Sequence, residues 1–98
     1  MARSKTKTIQ KVELKYPGRY QVIILNDDFT PMDFVIKLLI EVINKNINQA
    51  KEVTVAIHEK GKAVAGMYNQ EVAEQKVSEV TLISRHHGHP LKAVMEEI

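Results

Sequence analysis

An α+β domain with the element order β-α-α-β-α-β is predicted, its three-stranded antiparallel sheet covered on one face by three helices. The prediction rests on short runs rich in β-branched residues, on apolar stripes at helical spacing, and on the Asn, Gly and Pro residues that separate them. Tyr20 to Leu25 (YQVIIL) reads as the first strand and stops at Asn26-Asp27-Asp28, residue types that bend a chain. A helix is then expected with Thr30 as N-cap, Pro31 at the first helical position and Asp33 in the first turn, where the helix dipole favours a carboxylate. Its stripe of Val35, Leu38, Leu39 and Val42 carries it to about Asn44.

The second helix is expected from Asn48 as N-cap to Lys60, with Ala50, Val53, Thr54 and Ile57 on one face and Gly61 as its stop. His58 follows Thr54 by one helical turn, so the two side chains are neighbours at the edge of that face. Lys62 to Tyr68 (KAVAGMY) reads as a strand. Asn69 caps a third helix whose inward side is marked by Val72, Ala73, Lys76, Val77, Val80 and Ile83, with Ser78 and Ser84 on its surface and Gly88 at its end. After His89-Pro90, Leu91 to Met95 forms the last strand.

A chain of 98 residues without repeats holds one modest core, which excludes a two-domain enzyme. The absence of cysteine removes disulfides, thiolate metal sites and thiol nucleophiles together, and is consistent with a reducing compartment. No stretch approaches the roughly 20 apolar residues of a membrane span, and the start lacks the apolar segment of a secretion signal, so a soluble, unsecreted protein with no membrane partner is expected. Residues 1–19 carry six basic side chains against Glu13, a net +5 in a chain whose total is +2, and are expected to be a flexible basic extension ahead of a domain at 20–98. The domain itself has no basic stripe, so no nucleic acid partner is expected.

Catalysis finds little material. The serines lack a nucleophile-elbow pattern, the scattered glycines form no phosphate loop, and adjacent Asp27 and Asp28 taken alone read as a turn. His86, His87 and His89, with His58 as a fourth, have metal-ligand chemistry, but their spacing matches no zinc signature and a helix C-terminus is an ordinary place for histidine. No catalytic residue, no metal and no cofactor are therefore expected.

The stretches LNDDFTPMDFV, HEKGKAVAGMY, QEVAEQKV and HPL, in this order, resemble the ClpS adaptor family, the bacterial N-end-rule recognition component. The resemblance covers about Tyr20 to Glu97 and implies the fold derived above, shared with the C-terminal domain of a ribosomal stalk protein. It implies a non-enzymatic cytoplasmic adaptor that binds substrates whose first residue is Leu, Phe, Tyr or Trp. Such an adaptor passes them to the N-terminal domain of a ClpA- or ClpC-type AAA+ unfoldase. A stalk-type interaction domain without an amine pocket is the alternative, and would have no use for Asn, Asp and His brought to one place.

The residue types suit the implied task. An α-ammonium has three donors and needs acceptors on several sides with at least one negative charge. Asn26, Asp28 and His58 can supply these acceptors, with Asp27 second as field and turn support and the choice between the two aspartates left open by the sequence, and the resemblance places Thr30, Met32, Val35, Thr54, Ile57 and Leu91 on the walls of the side-chain pocket. The family commonly has methionine where this chain has Thr54, so the shorter side chain is expected to admit Ile and Val as well. Tyr68, Glu71 and Lys76 match the positions that contact the unfoldase, and residues 1–19 resemble the family's N-terminal extension.

Overall fold

A computed structural model describes residues 19–98. The extension expected over 1–19 thus lies outside the described residues except for Arg19, whose carbonyl accepts from the Ile98 amide at 2.9 Å. Six elements follow in order: β1 (Tyr20–Leu25), α1 (Met32–Glu41), α2 (Ile47–Lys60), β2 (Lys62–Tyr68), α3 (Gln70–His86) and β3 (Lys92–Glu97). β1 is the central strand, antiparallel to β2 on one side and β3 on the other.

The alternation of β1 explains the layers. Val22 and Ile24 point to the helices and are fully buried among Leu39, Ala65, Val80 and Leu91. The opposite face has Val64, Ile23 and Val94 in one cross-strand row, flanked by Lys62, Leu25 and Lys92. Pairing of β1 with β2 slips between Val22 and Ile23, because Val22 faces Gly66 while Ile23 faces Val64, and Ala65 becomes a buried bulge residue. Gly66 is needed beside this bulge, since a Cβ there would lie 2.7 Å from the Tyr68 hydroxyl and 2.9 Å from its ring.

Several boundaries differ from those expected, each for a local reason. The N-cap of α1 is Pro31, whose carbonyl accepts from Phe34 and Val35, while the Thr30 hydroxyl is engaged by Asp27. α1 ends at Glu41 because Asn44 takes a left-handed conformation (φ 62°) and the Lys45 amide turns back to Leu39. α2 is capped by Asn46 instead of Asn48: Asn46 accepts from the Gln49 amide at 2.8 Å while Gln49 accepts from the Asn46 amide at 3.1 Å. β3 begins at Lys92 and runs to Glu97, leaving Leu91 before the strand and almost wholly buried.

Ser84, expected on the surface of α3, is fully buried. It continues the stripe of Ala73, Val77 and Val80, and a small side chain at that point lets the helix lie close to the sheet. Its carbonyl accepts from the amides of both His87 and His89, at 3.2 and 2.8 Å, which bends the chain out of α3 toward β3. Arg85 secures the same crossing by donating through Nη1 to the carbonyls of His89 at 2.7 Å and Leu91 at 2.9 Å.

Candidate functional site

The end of β1 and the end of α2 are pinned together. The Asn26 amide donates to the Gly61 carbonyl at 2.9 Å, and Gly61, left-handed at φ 88°, closes α2 just after His58. The last turn of α2 therefore lies beside the turn at 26–30. Asp27 shapes that turn: its Oδ1 accepts from the Phe29 and Thr30 amides at 2.8 Å each, and its Oδ2 accepts from the Thr30 hydroxyl at 2.8 Å.

Partial burial pushes the Asp27 carboxyl up, but the hydrogen bonds from Thr30 and Phe29 and the nearby His89 outweigh it and hold the group below the ordinary carboxylate range. The side chain is thus an anion in place, with three of its roughly four acceptor directions filled from inside the turn. The remaining direction and the charge are available to a ligand.

Asn26, Asp27, Thr30, Met32, Val35, Thr54, Ile57, His58 and Leu91 line one cleft between this turn, α1, the end of α2 and the residue before β3. Of the residues expected there, Asp28 alone does not line it; its side chain is exposed. Asp27, and not Asp28, is thus the aspartate that lines the cleft. The Asp27-x-x-Thr30 spacing of an Asx-type turn was the available sequence signal.

Val35, Thr54, Ile57 and Leu91 are buried walls, whereas Met32 is 43% exposed and stands at the mouth. Thr54 donates its hydroxyl to the Ala50 carbonyl at 2.7 Å, so it offers no free donor to a ligand. The side-chain amide of Asn26 and the His58 ring enter no hydrogen bond among the described residues. Free volume in the cleft is about 20 Å³, room for about one water. An anion, an amide oxygen and an imidazole thus rim a small apolar hole, an arrangement that can hold a cation carrying an apolar group.

Tyr68 ends β2, Glu71 is in the first turn of α3 and Lys76 in its second, and none of the three lines the cleft. Lys76 is not a free surface charge. Its Nζ donates to the Val42 carbonyl at 2.8 Å, satisfying a carbonyl at the C-terminal end of α1, and stands 6.0 Å from the Tyr68 ring centroid. Glu71 is exposed in the first turn of α3.

The remaining histidines form an aromatic group around Phe34. His89 meets that ring edge-on at a centroid distance of 4.5 Å, and His87 is tilted at 5.3 Å. Among the described residues no three His, Asp or Glu side chains are placed to share a metal ion, and no helix is long and apolar enough to cross a membrane. An apolar hollow larger than the cleft lies elsewhere: a groove of about 460 Å³ along α1, with Phe34, Ile36, Ile40, Ile47 and Ile83 in its lining and Asp33, Lys37 and Glu41 beside them.

Residues 15–94 match the family model described as ATP-dependent Clp protease adaptor protein ClpS. Curated relatives named ATP-dependent Clp protease adapter protein ClpS include one from Deinococcus radiodurans, 42% identical over 97% of this chain and 84% of the relative. Others come from Xanthomonas oryzae, 47% identical over 89% of this chain and 82% of the relative, and Hydrogenovibrio crunogenus, 48% identical over 88% and 83%. A solved structure of Agrobacterium tumefaciens ClpS2 bound to L-phenylalaninamide superposes with a TM-score of 0.79 at 34% identity, covering 82% of this chain and 96% of that one.

Proposed function

Since the chain belongs to the ClpS family of Clp protease adaptors, we propose that it captures polypeptides by a free amino-terminal Leu, Phe, Tyr or Trp and delivers them to a Clp unfoldase. One observation carries this reading: Asn26, Asp27 and His58 converge on the rim of a cleft whose walls are Val35, Thr54, Ile57 and Leu91. L-phenylalaninamide, the ligand of the A. tumefaciens relative, has the free amine, apolar side chain and following amide of a polypeptide start.

Asp27 supplies the charge, while the Asn26 oxygen and the neutral His58 ring accept the remaining ammonium donors. A side chain entering between Val35 and Leu91 displaces Met32, whose unbranched thioether rotates at low cost, because the free volume of about 20 Å³ is far below that of a leucine side chain. Burying the side chain contributes about 1.5 to 3 kcal/mol, and each hydrogen bond to a charged group a similar amount. Ordering the substrate end subtracts from this, which leaves reversible binding suited to hand-over.

Delivery uses the face of Tyr68, Glu71 and Lys76 against the N-terminal domain of a ClpA- or ClpC-type partner, with residues 1–19 as the extension, in a bacterial cytoplasm. Lys76 serves there from a fixed position, since Val42 already holds its ammonium. The chain acts as a carrier and performs no chemistry on its cargo.

Fluorescence titration with a Phe-first peptide and its acetylated twin tests the reading. Acetylation removes the charge and leaves Asp27 unpaired, so binding should fall by about two orders of magnitude. Equal affinity for the two peptides would overturn it.

A further inference from the structure

Next to the cleft is an open groove of about 590 Å³ lined by Phe29, Arg85, Gly88, His89, Pro90 and Lys92. Two segments form the wall shared by both. In the turn after β1, Asp27 and Thr30 face the cleft while Phe29 lines the groove; before and at the start of β3, Leu91 faces the cleft while Pro90 and Lys92 line the groove. The lining has two permanent cations and an imidazole, and no carboxylate. Asp27, whose charge His89 feels, faces the cleft instead.

Phe29 is 78% exposed, so its ring contributes almost nothing to the core of this molecule. Arg85 is held in place by the hydrogen bonds from Nη1 to His89 and Leu91, and its other guanidinium N–H groups form no hydrogen bond among the described residues. Lys92 is exposed at the strand start. A preset guanidinium fork beside an exposed ammonium and an aromatic surface is suited to carboxylates on an extended chain.

We propose that this groove is a subsite for the second and third residues of the captured polypeptide, and that it favours acidic side chains there. The inference rests on the proposed function, because the cleft must hold the first residue for the next ones to reach the groove. Selection among substrates then comes from two places: the cleft reads the first side chain, and Arg85, Lys92 and Phe29 grade the second and third.

Three labelled peptides that begin Leu-Glu, Leu-Gln and Leu-Lys and are otherwise identical test it by anisotropy with the full chain. Leu-Glu should bind about threefold more tightly than Leu-Gln, and Leu-Lys more weakly than both, with the spread shrinking as salt is raised. Lys92→Glu should reverse the order of Leu-Glu and Leu-Lys while leaving Leu-Gln unchanged, and Lys92→Gln should narrow the spread. Equal affinities for the three peptides, or an unchanged order in Lys92→Glu, would overturn the subsite and leave capture standing. Failure of all three to bind would overturn capture, and the subsite with it.

Discussion

The cleft at the end of α2 has about 20 Å³ of free volume, and the groove along α1 about 460 Å³. By size the groove is the better hollow, but its apolar lining, with Asp33, Lys37 and Glu41 at hand, accepts any greasy surface. In the cleft, Asn26, Asp27 and His58 share a rim above apolar walls, and two of the three make no side-chain hydrogen bond within the described molecule. A ligand is specified by polar groups that lack partners, and volume comes once a flexible side chain such as Met32 moves.

Asp27→Ala should show the largest effect. Removing the one carboxylate of the cleft, together with the turn it holds, should weaken capture of a Leu-first peptide by about a hundredfold or more in a binding titration. The same carboxylate also bears on stability. Because the native carboxyl of Asp27 is held low, its contribution is complete above about pH 4 and is lost as pH falls through that lowered value. Acid unfolding monitored by circular dichroism should therefore retain less pH dependence in Asp27→Asn than in the parent.

Removal of the imidazole in His58→Ala should cost about tenfold in affinity at neutral pH, the share of one hydrogen bond to a charged donor. Thr54→Met is next in size. A longer side chain at this buried wall should lower affinity for Ile-first and Val-first peptides about fivefold relative to Leu-first ones, measured by competition.

Away from the cleft the expected effects concern folding or vanish. Lys76→Met should leave capture unchanged while lowering stability by about 1 kcal/mol in urea unfolding, through the unpaired Val42 carbonyl. Ile47→Ala, in the lining of the large groove, should change capture by less than about twofold. A large loss there would mean that the groove takes part in binding.

Where the chain speaks locally, its structure is legible. Tyr20–Leu25, Lys62–Tyr68 and the Asn69 cap rest on β-branched runs and a single capping side chain, and the structure places all of them where the sequence does. Asn46, and not the expected Asn48, caps α2 because Gln49 completes its capping box, a local signal present in the sequence. Burial of Ser84 depends on how closely α3 lies on the sheet, and the bulge at Ala65 on cross-strand register; neither is a local property.

The site divides in the same way. Residue types suited to an amine are evident in order along the chain, but which aspartate faces the cleft is decided by the hydrogen bonds that fold Asp27 back on Thr30. Lys76 is marked in the sequence as an inward position of the third helix, but the Val42 carbonyl it caps is distant along the chain and has no local signal. Phe29 and His89 carry no signal of a peptide subsite in the sequence, since an exposed ring and a helix-end histidine acquire that meaning only through the groove they share.

The most direct measurement is an amide-resolved NMR titration of the full chain with L-phenylalaninamide. Capture in the cleft predicts saturable shifts at Asn26, Asp27, Thr30, Ile57, His58 and Leu91, with Ile36, Ile40 and Ile83 of the large groove unmoved. Shifts confined to the groove residues, with Asp27 and His58 unperturbed at saturation, would contradict the account.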